Sequence, residues 1–150
     1  MTDLILAIAH HLCVFTLAGL LIAEVALLRP GIAGERLKQI GVVDAAYGAV
    51  AGLIVVVGVL RVIYGDKGAD YYIHNWVFWL KMAAFLLVGL LSIPPTLSIL
   101  GWRRQLSADP GFTPDPALVG RLRRFFTGEI IAFAFIPVFA AAMARGYGII

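Results

Sequence analysis

Four long apolar stretches run through this chain, and each is bounded by glycine, proline or clustered charge. An α-helix needs about 20 mostly apolar residues to cross the hydrocarbon core of a bilayer. The chain therefore reads as all-α, an integral membrane bundle of four transmembrane helices, forming a single transmembrane domain over residues 1–150. The spans are placed at about 4–28, 39–64, 75–101 and 116–146. Composition agrees with this reading. The chain is 61% hydrophobic and only 14% charged, against about 45–50% and about 25% in soluble domains.

The same composition excludes several classes of function. The formal net charge is only +3, and no basic run is interleaved with aromatic residues, so a nucleic-acid surface is not expected. Cys13 is the only cysteine, which rules out a disulfide within the chain or a multi-cysteine metal site. It is expected to be a small buried hydrophobe. Met1-Thr2-Asp3 lacks the positive region of a signal peptide, and the first apolar run is too long for a signal core. That run is read as a retained membrane helix.

The boundaries have local causes. Arg29-Pro30-Gly31 is a helix stop. Gly65 to His74 reads as a loop, with Tyr71, Tyr72, Trp76 and Trp79 as an interfacial aromatic belt. Pro94-Pro95 lacks two N–H donors and is expected to kink or break the third span. Asp115-Pro116 reads as an N-cap followed by a first-turn proline. Arg29, Arg36, Lys38, Arg103, Arg104, Arg121, Arg123 and Arg124 all fall at one end of the bundle. The positive-inside rule makes that end cytoplasmic. The expected location is the bacterial inner membrane, multi-pass, with both termini outside (periplasmic).

Against this background the informative residues are the ionisable ones inside the spans. Such groups are costly in hydrocarbon and mark functional sites by default. His10 and His11 are adjacent within Ala7–Phe15. On a 100° wheel His10 shares a stripe with Leu17, Leu21 and Glu24, whereas His11 points about 100° away. One histidine is thus expected to face the bundle centre and the other to meet a neighbouring helix. At 1.5 Å per residue, His10, Arg61 and Lys81 lie roughly 6–10 Å below the outer boundary. Glu24, Asp44 and Glu129 lie near the inner one. A basic outer layer is therefore separated from an acidic inner layer.

The outer layer suits haem b or a related porphyrin. Neutral imidazole is an axial iron ligand, which makes His10 the candidate metal ligand. Arg61 and Lys81 are candidates for the propionates, and His11 and Met143 are further cofactor-binding candidates. Phe15, Phe78, Phe85 and Gly58 would supply apolar walls and clearance. Competing readings are a small permease or proton-coupled protein using a column from His10 to Glu129, histidines that only fix helix packing, and a non-catalytic accessory subunit, or a homo-oligomer, packing through Gly48 and Gly52. A redox partner, quinone or lipid in a cavity near the proline kinks is compatible with the first reading. Glu24 and Glu129 are expected to reach Arg104, Arg124 or the interface by snorkelling. Asp44 should need a partner, Tyr47 or a group of the last span. His74 with Asp66 and Asp70 is read as solvated loop rather than a metal site.

The segments LAIAHHL, DAAYG, GVLRVIYGDKGADYY, FWLKM, LLSIPPTL and AAMARGYG together resemble an uncharacterised (domain-of-unknown-function) family of small bacterial four-helix membrane proteins. More distantly the chain is similar to HemJ-type protoporphyrinogen oxidases and CopD-like membrane proteins. That similarity rests on His10 early in the first span, Lys81 within Trp79-Leu80-Lys81-Met82, and Glu129 within Gly128-Glu129-Ile130. The chain departs by its doubled histidine, by Gly128 where HemJ proteins carry asparagine, and by Pro137 well downstream of Glu129. The resemblance implies a membrane haem or porphyrin site around His10 and Lys81, and a HemJ-like oxidoreductase as the activity to test.

Overall fold

A computed structural model describes residues 1–149. It contains α1 (Thr2–Leu27), α2 (Gly34–Tyr64), α3 (Gly68–Ile73), α4 (Trp76–Ala108) and α5 (Pro116–Ala144). All but α3 are long and apolar enough to cross a membrane. Short connections make α1–α2 and α4–α5 two antiparallel hairpins. Contacts of α2 with α4 and of α1 with α5 close them into one bundle. Apolar side chains cover the outside as well, as at Phe15, Leu86 and Leu97. A helix that is apolar all round is at home in lipid.

The ends follow local chemistry. Leu28 leaves the helix while its N–H still bonds Glu24 O at 2.8 Å. Gly31 then takes φ +81°, a conformation that favours glycine, and the chain turns back. Asp115 caps α5 as expected, accepting from Ala117 N at 2.9 Å, with Pro116 in the first turn. Asn75 caps α4 by accepting from Val77 N at 2.9 Å and Phe78 N at 3.2 Å. Its amide also donates to Tyr147 O at 3.1 Å, and Trp76 N donates to Gly148 O at 3.0 Å. This ties the start of α4 to the segment after α5. Gly148 sits at φ +91°, and a Cβ there would run into Val77 and Asn75.

Three expectations need correction. The loop from Gly65 to His74 contains the short helix α3. Helices α2 and α4 extend beyond their apolar runs, α2 starting at Gly34 and α4 continuing to Ala108. There the polar turns stand clear of the hydrophobic stretch, and an exposed Glu35–Lys38 pair at 3.2 Å braces one of them. Finally, of the expected kink or break at Pro94-Pro95, the break does not occur: α4 is continuous through both. Pro95 is packed into the bundle, and neighbouring hydroxyls bond the local backbone, Ser92 to Gly89 O and Ser98 to Pro94 O, both at 2.8 Å. These bonds do not replace the donors that Pro94 and Pro95 deny to the Leu90 and Leu91 carbonyls, and packing against neighbouring helices is what lets a membrane helix tolerate proline here.

Packing is uneven along the bundle. The main buried cluster lies toward the end carrying the arginines, with Leu28, Leu37, Ile40, Ile99, Val119 and Phe126 at its heart. Toward the opposite half the cluster thins to Cys13, Leu17 and Ile54, beside a small separate cluster of Val88, Ala132 and Ile136. Gly48 and Gly52 face outward, with nothing packed on them.

Candidate functional site

The loosely packed half contains a cavity of about 380 Å³, within the usual range for small-molecule sites of roughly 300–1,000 Å³. Its existence follows from how α2 and α4 meet. Toward the basic end they are joined by Thr96 Oγ1 donating to Asp44 Oδ1 at 2.7 Å and by Arg103 donating to Gly41 O at 3.4 Å. Toward the other end no such bond holds them, and Gly58 on α2 and Phe78 and Phe85 on α4 line empty space. Val55, Val59 and Ile63 also line the cavity while remaining about half exposed on the outside of the bundle. The cavity thus opens sideways along α2.

Its polar groups are almost all basic. His10, Arg61 and Lys81 line it, with Tyr72 as the remaining polar side chain, and no acidic residue does. His10 Nδ1 and Arg61 Nε are buried without a hydrogen-bond partner. Lys81 lies in the electrostatic field of Arg61, and both act on His10. Among the described residues the one side-chain ion pair is Glu35–Lys38, far from here. Gly58 on α2 faces the His10 ring, and a Cβ there would lie in ordinary contact, 3.8 Å from Cε1.

The other candidates are placed differently. His11 is exposed on the outside of α1, with Nδ1 2.7 Å from Ala7 O and its ring centroid 6.4 Å from that of His10. It meets lipid-facing surface, not a neighbouring helix, because the wheel angle that turns His10 inward turns His11 out. Met143 is buried but does not line the cavity; its carbonyl accepts from Tyr71 Oη at 2.6 Å. Phe15 is exposed and contributes no wall. His74 is exposed and its Nδ1 lies 3.1 Å from Asp70 O. No group of His, Cys, Asp or Glu among the described residues is arranged to hold a metal ion.

Glu24, Asp44 and Glu129 come together from α1, α2 and α5 as a second polar feature. They are 1%, 5% and 0% exposed, and each Glu lies in the field of Asp44. The snorkelling expected of Glu24 and Glu129 does not occur. Arg104 and Arg124 are exposed to the outside, and Arg29 folds back on Ala26 O at 3.0 Å. Asp44 finds its partner on α4, in Thr96, rather than in Tyr47 or on the last span. Glu129 lies four residues from Phe133 of the cavity lining, about 6 Å along the helix. The acids therefore sit just beneath the cavity floor.

The family described as "Predicted membrane protein (DUF2214)" matches residues 2–148. The chain belongs to this family. It is accordingly a multi-pass membrane protein in contact with the lipid bilayer, with four candidate spans. No curated protein and no solved structure matches the chain. The similarity to HemJ-type and CopD-like proteins therefore has no support beyond the scattered residues that suggested it.

Chemically, the cavity of this DUF2214 protein suits an amphipathic anion. Apolar walls would cover a hydrophobic body, and two unpaired cations would meet its acid groups. Sequence reasoning missed several contributors. Tyr72, read as part of the interfacial belt, turns inward beside Phe78, ring centroids 5.5 Å apart. Met82 and Phe133 also line the cavity. Met82 adjoins Lys81 in sequence, and no signal other than that adjacency points to it.

Proposed function

We propose that the cavity binds haem b or a related porphyrin, entered from the lipid side along α2. The observation that carries this reading is a basic trio, His10, Arg61 and Lys81, around an otherwise apolar cavity, with buried nitrogens left unpartnered. A porphyrin matches that donor set: an apolar macrocycle, two carboxylates and, in haem, a metal that takes imidazole. His10 would hold the iron and Arg61 and Lys81 the propionates. Phe78, Phe85 and Phe133 would exclude water, and Gly58 would give clearance beside the ring. Met82, not Met143, is the thioether within the cavity. When bound, haem would supply one-electron chemistry. Under this reading the protein is a redox component whose partner is a quinone or another membrane redox protein.

The basic end, rich in arginine, is assigned to the cytoplasm by the positive-inside rule. That places the cavity in the outer half of the inner membrane and both termini in the periplasm. A reporter fused to the C-terminus should be active outside; cytoplasmic activity overturns the orientation.

The absorption spectrum of the detergent-purified protein, oxidised and reduced, tests the ligand. A Soret band lost in His10→Ala and kept in His11→Ala is the expected result. A colourless protein that remains unchanged after added haem overturns the reading.

A further inference from the structure

We infer that Glu24, Asp44 and Glu129 form a buried proton-binding site, separate from whatever the cavity holds. Three carboxyl groups from three helices meet inside the bundle, each nearly or wholly inaccessible. Asp44 has the most partners: Thr96 Oγ1 donates to it at 2.7 Å, Arg103 acts on it from α4, and it shares a hydrogen bond with Glu24. Both oxygens of Glu129 and Oε1 of Glu24 are buried with no partner. The side chain of Tyr47, 6% exposed, lies one turn from Asp44 on α2 and faces both glutamates. The charged and titratable groups facing this point are therefore Glu24 from α1, Asp44 and Tyr47 from α2, Arg103 from α4 and Glu129 from α5. Arg123 on α5 is engaged elsewhere, donating to Leu28 O.

The balance of charge decides the ligand. One cation faces three acids in surroundings that exclude water. A buried carboxyl without a partner takes up a proton rather than remain charged. A metal ion would need a coordinating geometry. No metal-holding arrangement of these side chains exists among the described residues. A proton needs no extra volume. Asp44 is the member held by Thr96 and Arg103, and Glu24 and Glu129, which hold the unpartnered oxygens, carry the protons. Transfer within the site breaks an O–H bond on one carboxyl and forms one on the next, with no change in electron count.

The test uses the full chain in detergent or lipid nanodiscs. The probe is a hydrophobic carbodiimide, which attacks protonated carboxyls in apolar surroundings, followed by peptide mapping. Adduct on Glu129 or Glu24, falling severalfold from mildly acidic to alkaline pH, is expected. An infrared band from a protonated carboxyl should accompany it and be lost or weakened in Glu129→Gln. The mapping needs no variant, so a poorly folding Glu129→Gln does not remove the test. Absence of both adduct and band overturns the proposal. So does protection of the adduct by sodium at constant pH, which would make the site one for a metal cation. Neither readout depends on colour or on haem, so this proposal and the cavity reading fail separately.

Discussion

The two polar regions of the bundle are opposites in charge and in packing. Around the cavity, three basic groups border empty space that opens sideways toward lipid. Beneath it, three acids are enclosed by the core that contains Phe126. Both regions hold charge-capable groups without partners, but the room available differs. Where there is space, the missing counter-charge can be a molecule. Where the acids are enclosed, the proposed counter-charge is a proton. Packing density, as much as residue type, tells the two sites apart.

The largest effect should come from removing bulk in the closed region. Phe126 is 2% exposed, and Phe126→Ala should destabilise by about 3–5 kcal/mol. Phe78→Ala removes the same side chain from a wall that already borders a void, so its loss should be less than half as large. Thermal or SDS unfolding of the two variants measures the difference. Equal losses would show that the cavity half is as well packed as the acid half.

Next in size is removal of charge from the open region. Arg61→Met and Lys81→Met each replace an unpaired cation with an apolar chain of similar length. In the ligand-free protein each should raise stability, by at most about the 1–4 kcal/mol seen when a whole buried ion pair gives way to packed apolar groups. Both should weaken ligand binding. A loss of stability without ligand would mean that each cation has a partner in the apo protein, and the case for an anionic ligand would fall.

A smaller effect is expected at the edge of the open region. Asn75 caps α4 and holds Tyr147 O. Asn75→Ala should cost about 0.5–2 kcal/mol, the range for loss of an N-cap. Since α4 starts beside the cavity, hydrogen exchange should rise at Val77 and Phe78 and remain unchanged near Thr96. A uniform rise along α4 would mean that the two halves do not behave independently.

Much of this was legible in the sequence, for identifiable reasons. Span number, the stop at Arg29-Pro30-Gly31 and the Asp115 cap depend on hydropathy and local backbone chemistry, which act within a few residues. The split into two layers followed from counting rise per residue, and the structure places His10, Arg61 and Lys81 in one region and the three acids in another. What stayed hidden required knowing which helix faces which. The wheel separated His10 from His11 but did not say that the second direction is lipid. Glu24, one turn from Arg29, looked free to snorkel, yet Arg29 turns to Ala26 O and Glu24 is enclosed. Thr96 gives no sign of itself as Asp44's partner, since the bond spans 52 positions. The helical extensions and α3 lie in polar sequence, where hydropathy carries no signal.

The smallest expected effect is the most discriminating. If Glu129 carries a proton, Glu129→Gln exchanges one neutral hydrogen-bonding group for another of nearly the same shape. Stability should then change by less than about 1 kcal/mol, the scale of a single neutral hydrogen bond. If Glu129 were instead ionised, the substitution would remove a buried negative charge from beside Asp44, and the variant should become clearly more stable. Isothermal chemical unfolding at one fixed pH tells these outcomes apart. A near-zero change at Glu129 together with a clear gain at Arg61→Met would establish the contrast between the regions: a proton neutralises Glu129 in the resting protein, while the cavity lacks a counter-charge until a ligand arrives.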